Sequence, residues 1–358
     1  MDEAAFRELI SGATTGPVAA AARGGLRLLS GLYGTAVAAR NLAFDVGLRR
    51  AHRADVPVVS VGNLTTGGTG KTPVVAWIAN WLVEQNKTPV ILSRGYRALP
   101  ESVNDEKLVL DQLCPGVAHL QDPDRVASAE VAVVEHEAGV LVLDDGFQHR
   151  RLHRDLDVVL IDALNPFGYD ALLPRGLLRE SVGALRRADL VLLTRADQCS
   201  DDVRAGIRES VVTIAPDVPC LGVSFRPRRY ADSAGETLSL EALAGAHAVA
   251  FCGIGNPEAF EQTLTDSGLL VRRLVPFGDH HHYDADDLAR LAEIVESLEG
   301  ITAVVTTQKD LVKLSETQIA GRPLRALTIE ADFGSGESEM VQMLEWLLDD
   351  GLARHCKR

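Results

Sequence analysis

Cysteine is scarce and unpatterned in this chain: its five residues (Cys114, Cys199, Cys220, Cys252 and Cys356) are odd in number, scattered, and never spaced as C-x-x-C. That usage excludes a disulfide framework and a thiolate zinc site, and suits reduced thiols in the cytoplasm. Long apolar runs are lacking as well. The longest charge-free apolar stretch near the N-terminus covers residues 28–39, whereas a bilayer-spanning helix needs about 20 such residues. No signal peptide is expected, because the chain opens on Asp2 and Glu3 without a basic-then-apolar pattern and cleavage site. Basic charge is also short. A formal net charge of -14 argues against general nucleic-acid binding, which needs a cationic face. No solenoid repeat and no low-complexity tract is present. What remains is an ordinary globular composition, 46% hydrophobic and 24% charged, over 358 residues, enough for about two domains.

Charge is unevenly spread. Residues 1–54 hold seven arginines against four acids, a balance of +3 that leaves -17 for the rest of the chain's -14. On a helical wheel Leu28, Leu29, Leu32, Ala36, Ala39 and Ala43 share one side, opposed by Arg23, Arg27, Ser30, Gly34 and Asn41. Such a helix suits the plane of a membrane surface, and its apolar face equally suits packing on the protein's own core.

The strongest local signal is G-G-T-G-K-T, Gly67, Gly68, Thr69, Gly70, Lys71 and Thr72, between the apolar run V-P-V-V-S-V-G and the helical pattern P-V-V-A-W-I-A-N-W-L. A strand, a glycine-rich turn with one lysine and a helix start form a phosphate-binding loop: backbone N–H groups face the anion and glycine permits close approach. Lys71 is placed to reach the β/γ-phosphates and the Thr72 hydroxyl to hold Mg²⁺. The general G-x-x-x-x-G-K-[ST] spacing asks for glycine at position 65, where this chain has Thr65.

From Pro57 to about Pro219, short Val/Leu/Ile runs (V-P-V-V-S-V, P-V-I-L-S, G-V-L-V-L-D, D-V-V-L-I-D, D-L-V-L-L-T) alternate with helical patterns. This predicts an α/β fold: a P-loop NTPase-type parallel sheet core, with ligands beyond the carboxyl ends of its strands. Gly222–Ala244 reads as a connector with room for a hairpin. A second strand–helix alternation begins with A-V-A-F-C-G-I-G-N-P and gives a smaller α/β domain, in which G-I-G-N-P is a plain turn. The expected division is a helical segment over 1–54, a P-loop core over 55–221, the connector over 222–244 and the smaller domain over 245–358.

Asp144 and Asp145 end the strand G-V-L-V-L and precede G-F-Q-H, the place where a P-loop enzyme holds Mg²⁺. Gln148 and His149 are placed to orient a phosphate or a water. Arg94, Arg125, Arg175 and Arg179 stand in or near ligand-side loops, and their planar guanidinium groups suit phosphate oxygens. In D-H-H-H-Y (279–283), a histidine oriented by a carboxylate suits proton transfer better than three adjacent imidazoles suit one metal.

Taken together, G-N-L-T-T-G-G-T-G-K-T-P (62–73), L-S-R-G-Y (92–96), N-D-E (104–106), D-R-V-A (124–127), L-D-D-G-F-Q-H (143–149), L-L-P-R-G-L-L-R-E (172–180), G-I-G-N-P (253–257), F-G-D-H-H-H-Y (277–283) and T-T-Q-K-D (306–310) resemble the tetraacyldisaccharide 4′-kinase family over residues 26–314. The resemblance implies transfer of the ATP γ-phosphoryl group to the 4′-hydroxyl of a tetraacylated glucosamine disaccharide 1-phosphate, with Mg²⁺. It implies a peripheral enzyme on the cytoplasmic face of the inner membrane, its surface contact made by the N-terminal helix, with no protein partner. Carried over by position, it makes Asp105 the base, paired with His280 or His281. Lys71 acts on the phosphates, and Glu106 joins Thr72, Asp144 and Asp145 at the metal. Asn63, Arg94, Arg125, His149, Arg175 and Arg179 bind substrate or phosphate. Thr65 is usual in this family. The chain departs from the family pattern at N-D-E-K (for G-D-E-P), at His282 (where proline is common) and at T-T-Q-K-D (for T-T-E-K-D).

A rival class is a GTPase-type switch or metal-delivery factor. T-R-A-D (194–197) follows an apolar strand much as a guanine-reading motif does, and the histidines suit metal transfer. Against it, D-x-x-G is absent: Leu143 occupies the position its aspartate requires.

Overall fold

The structure, a computed structural model, describes residues 3–95, 105–278 and 281–355. The chain folds as two compact units that each draw on separated segments: residues 1–96, 116–224 and 331–358 form one, residues 97–115 and 225–330 the other. This division differs from one made in sequence order. Residues 105–113 fold with the second unit, and the C-terminal helix folds with the first.

The first unit opens with helices α1 (Glu3–Ser11) and α2 (Pro17–Asp45), followed by strand β1 (Val58–Asn63), helix α3 (Lys71–Glu84) and β2 (Pro89–Ser93). Helix α4 (Asp105–Leu113) belongs to the second unit. The first resumes with β3 (Ala118–Gln121), α5 (Arg125–Glu135), β4 (Val140–Asp144), β5 (Leu156–Asp162), β6 (Leu190–Thr194) and α6 (Asp201–Ile214). Strand β7 (Cys220–Ala231) begins in the first unit and continues into the second. There follow β8 (Thr237–Leu238), β9 (His247–Cys252), α7 (Pro257–Asp266), β10 (Leu270–Pro276), α8 (Ala285–Ser297), β11 (Ala303–Thr307), α9 (Gln308–Leu311), β12 (Gln318–Ile319) and β13 (Arg322–Asp332). Helix α10 (Glu337–His355) returns to the first unit.

In the first unit the parallel order is β3-β2-β4-β1-β5-β6-β7. Strand β1 lies between β4 (Val59 opposite Val142) and β5 (Val59 opposite Leu156), and all its residues are buried. Its valines do not alternate with solvent-facing polar residues, and Ser60 and Asn63 are buried as well, as in a strand covered on both faces. Helix α3 buries Val74, Val75, Ile78 and Leu82 against this sheet, while α5 starts at Asp124, whose carboxylate accepts from the amides of Val126 and Ala127. The chain turns back across β1 after running outward to β3, so the carboxyl ends of β1 and β4 open at a topological switch point.

The second unit has the parallel run β10-β9-β11-β13, with β12 antiparallel on β13 and β8 antiparallel on β7. Phe251, Val304, Leu291 and Leu324 are among the residues of its core. The β7–β8 pair, Tyr230 opposite Leu238, is the hairpin within the stretch read as a connector. In G-I-G-N-P, Asn256 caps α7 by accepting from the Ala259 amide. Among the described residues no helix is long and apolar enough to cross a membrane.

Candidate active site

The phosphate loop leaves β1 at Asn63 and enters α3 at Lys71, with Gly67 (φ 111°) and Gly70 (φ 84°) in backbone settings that favour glycine. Position 65 needs no glycine, because the chain there is extended. Thr65 bridges antiparallel to Leu178, flanked by hydrogen bonds from Thr66 N to Leu177 O (2.8 Å) and from Arg179 N to Leu64 O (2.7 Å). The mismatch with the general spacing is thus a second strand-like contact that anchors the loop's start.

Lys71 Nζ lies 3.4 Å from Asn63 Oδ1 and 3.7 Å from Asp145 Oδ1. Asp145 sits in the turn after β4 at φ 56°, a left-handed setting that costs a non-glycine residue about 1–2 kcal/mol. Its carboxylate offsets that cost: Arg179 Nη1 donates to both oxygens at 2.8 Å. Burial pushes the Asp145 carboxyl up, but Lys71, Arg179 and Arg125 outweigh it and hold the group below the usual carboxylate range. The turn is pressed onto β1, since a Cβ at Gly62 would lie 2.6 Å from the Phe147 amide. Gln148 Nε2 donates to Asn63 O at 2.9 Å.

Arg125, buried at the start of α5, donates to Asp144 O at 3.1 Å. Arg94 stands exposed just after β2, close enough for its charge to act on Arg125. His149 is lowered to about 4 by burial and by the cations Arg125, Arg151 and Arg154. It is therefore a neutral imidazole near pH 7, and its buried Nε2 has no hydrogen-bond partner among the described residues. Thr72 lies in the first turn of α3, and the buried Thr69 hydroxyl has no hydrogen-bond partner among the described residues. Arg175 is engaged with the N-terminal helices. Its guanidinium donates to Ile10 O at 2.6 Å and its amide to Ser30 Oγ at 2.9 Å, fixing α1 and α2.

One neighbour of the loop escaped sequence reasoning as a site residue. Arg195, in a left-handed setting after β6, ion-pairs with Asp162 and donates to Gly68 O at 2.7 Å. The T-R-A-D signal was visible, but it pointed to the rival class.

The second unit gathers its own group. Asp105 Oδ2 at the start of α4 lies 3.4 Å from Lys313 Nζ. The same ammonium lies 3.4 Å from Asp310 Oδ1 and donates to His281 O at 3.1 Å. The His281 imidazole pairs with Asp287 at 2.6 Å and stacks on Phe277. That hydrogen bond, above all, lowers the Asp287 carboxyl. His280, the other histidine expected to pair with Asp105, lies outside the described residues. Glu106 follows Asp105 on α4.

The amphipathic helix resolves a choice left open by the sequence. Its polar side packs inward: Ser30 Oγ donates to Leu172 O (2.8 Å), Tyr33 Oη to Arg179 O (2.8 Å), and Arg40 and Asn41 hold the buried Glu180 at 2.7 and 2.8 Å. The apolar side faces outward, with Leu28 76% and Leu32 71% exposed. It does not pack on the protein's own core.

A strand–loop–helix phosphate cradle with a cationic lysine and two carboxylates at the neighbouring strand end defines the P-loop NTPase class of nucleotide-binding proteins. Residues 22–349 match the family model for tetraacyldisaccharide-1-P 4′-kinase. A tetraacyldisaccharide 4′-kinase of Anaeromyxobacter sp. (strain Fw109-5) is 39% identical, covering 91% of this chain and 92% of that protein. One from Geobacter sulfurreducens is 35% identical, covering 91% and 94%. The crystal structure of Aquifex aeolicus LpxK in complex with ATP superposes with a TM-score of 0.73 at 28% identity, covering 91% of this chain and 99% of that one. The chain belongs to the tetraacyldisaccharide 4′-kinase family.

Proposed function

We propose that this chain transfers the γ-phosphoryl group of ATP to the 4′-hydroxyl of a tetraacylated glucosamine disaccharide 1-phosphate, working peripherally on the cytoplasmic face of the inner membrane. The observation that carries the reading is the Lys71–Asn63–Asp145–Arg179 arrangement at the carboxyl ends of β1 and β4, within a chain of this family.

The amides of Gly67, Gly68, Thr69 and Gly70 and the start of α3 receive the phosphates, and Lys71 offsets the charge that builds on the moving group. Donors for Mg²⁺ are present and of the right kind: the Thr72 hydroxyl and the Asp144 and Asp145 carboxylates offer only hard oxygens. When bound, the metal draws negative charge from the phosphate oxygens. Asn63 and Gln148 fix the lysine and the turn, while Arg94, Arg125 and Arg179 provide the cationic surroundings. Neutral His149 offers a hydrogen bond rather than charge. Arg175 serves by seating α1 and α2, not through its guanidinium at the phosphates.

At the acceptor end, Asp105 takes the hydroxyl proton. The outward leucines of α2 meet the bilayer and the acyl chains, each contributing roughly 1.5–3 kcal/mol when withdrawn from water. Because the 4′-hydroxyl belongs to a lipid, an enzyme held at the surface reaches it without extracting the chains.

The test is transfer of label from γ-labelled ATP to a 1-phosphorylated, tetraacylated disaccharide lipid, compared with GTP and with lipid omitted. Label appearing on the lipid with ATP is the expected result. Equal or faster GTP hydrolysis that ignores the lipid would establish the switch class instead.

A further inference from the structure

Beyond the carboxyl end of β5 the chain walls a cleft of about 410 Å³, within the ~300–1,000 Å³ usual for small-molecule sites. Its walls are Leu164, Asn165, Pro166, Phe167, Tyr169 and Asp170. The loop is well fastened. Phe167 packs on the core of the first unit, the Tyr169 amide donates to Asn165 Oδ1 (3.2 Å), and the Asp170 amide donates to Phe167 O (2.9 Å). Gly168, Tyr169 and Asp170 stand in succession at φ 56°, 62° and 52°. Left-handed backbone suits glycine but is unusual at a tyrosine, and strain of this kind gathers at binding sites. The cleft also lies between two parts of the machinery. Leu177 joins it to the phosphate loop, donating from its amide to Gly168 O (2.8 Å) and accepting at its carbonyl from Thr66 N (2.8 Å). On the other flank Leu172 O accepts from Ser30 Oγ of α2 (2.8 Å), and a Cβ at Gly34 would lie 2.7 Å from Leu172 Cδ1.

Polar groups on these walls are unspent: the Asn165 Nδ2 amide, the Tyr169 hydroxyl and the Asp170 carboxylate make no hydrogen bond or ion pair to a described residue. Between them they offer amide protons, a hydroxyl that both donates and accepts, and carboxylate acceptors, beside the apolar surfaces of Pro166 and Phe167. We propose that the cleft is the subsite for a glucosamine ring of the acceptor, which rests on the acceptor being the acylated disaccharide of the proposed reaction. A pyranose ring carries hydroxyl and amide edges together with C–H faces, and these walls combine partners for both. Phosphate is a poor occupant. The one charged wall residue is Asp170, whose carboxylate repels it, so neither the triphosphate nor the 1-phosphate belongs here. An acyl chain fits no better, since it would strip water from three polar groups and return no hydrogen bond. The position agrees with a ring: acyl chains on the outward side of α2 and a sugar in the cleft set the lipid headgroup beside the phosphate loop.

The experiment uses the full-length chain as wild type, D170N, Y169F and Y169N. Label transfer from γ-labelled ATP is measured at varied lipid and varied ATP, alongside binding to anionic vesicles and thermal melts. Saturation-transfer NMR follows binding of an N-acetylated glucosamine disaccharide 1-phosphate that lacks long acyl chains. D170N and Y169F each remove one polar partner at nearly constant shape, and each is expected to raise KM for the lipid about 3- to 10-fold, with KM for ATP and vesicle binding within about twofold. Y169N separates binding from architecture, because asparagine tolerates left-handed backbone better than tyrosine. It should melt no lower than wild type, while kcat/KM for the lipid falls about tenfold or more and the disaccharide signal weakens. If Y169N melts lower, D170N and Y169F decide alone. Folded variants with unchanged KM for the lipid and unchanged disaccharide binding overturn the subsite. A rise in KM for ATP alone overturns it too, making the cleft a nucleoside site, as does a loss of vesicle binding alone. Wild type that labels no lipid, yet binds the disaccharide in a way D170N abolishes, fails as the proposed kinase and keeps the subsite. Wild type that labels the lipid, beside variants indistinguishable from it, keeps the kinase and loses the subsite.

Discussion

The two units carry their chemistry in opposite ways. In the first, the phosphate loop is six consecutive residues on a backbone scaffold, fastened by the bridge at Thr65, the Asp145–Arg179 pair and Arg195. In the second, Asp105, the His281 carbonyl and the local Asp310–Lys313 pair come from three stretches well apart in sequence and meet through side chains and one carbonyl. A backbone cradle survives the loss of one side chain in shape and loses only that side chain's charge. A cluster built on one ammonium loses its organisation with it.

The first way to break this comparison is Lys71→Ala. Turnover should fall by about 10²- to 10³-fold with the fold intact, read by circular dichroism and labelled-phosphate transfer. Near-normal turnover in a folded variant would show that the cradle works without its cation. Next in size is the pair Leu28→Glu and Leu32→Glu on the outward face of α2. Binding to anionic vesicles should be lost and the apparent KM for lipid should rise about tenfold, while KM for ATP stays put. Vesicle binding that persists would move the surface contact elsewhere. Arg195→Ala sharpens the account of the loop: freed from its Gly68 carbonyl contact, the loop should show a KM for ATP raised a few-fold, with little change for the lipid. An unchanged KM would mean that the Thr65 bridge suffices.

The smallest effect is on stability. His149 has its pKa lowered from 6.5 to about 4 in the folded state, so between those values the unfolded chain binds a proton that the folded one does not. Stability therefore rises with pH across that window and is lost as pH falls from about 6.5 toward 4, by roughly 2 kcal/mol once partial exposure is discounted. His149→Gln should flatten that slope in urea melts taken across pH. A slope that stays would assign the acid sensitivity to other groups.

Legibility followed the same division. The runs that became β1, β2, β4, β5 and β6 were readable because their residues are buried almost throughout and apolar alternation is absent. Strand β3 (A-H-L-Q) is half-buried throughout at the sheet edge, and β13 is interrupted by Pro323 and Arg325, so neither gave a periodic signal. The phosphate loop was legible down to the lysine. The reason for Thr65 was not, since its partner is Leu178, far along the chain. Arg175 looked like Arg179 in sequence, and only the neighbours of their guanidinium groups separate them. Lys313 gave no local signal, because two of its partners, Asp105 and the His281 carbonyl, lie far from it in sequence.

The seating of α2 by its polar side has a practical consequence. A helix held by greasy packing can roll about its long axis with small loss, whereas one pinned by Ser30, Tyr33, Arg40 and Asn41 has a single azimuth. Directional bonds also outlast conditions that dissolve apolar contacts. In mild detergent the outward leucines should be coated by surfactant while the helix keeps its seat, so that extraction strips the protein from lipid without peeling α2 away. Detergent-free solutions should instead drive copies together through that bare stripe, making self-association at high concentration, reversed by surfactant, the signature of this inside-out helix.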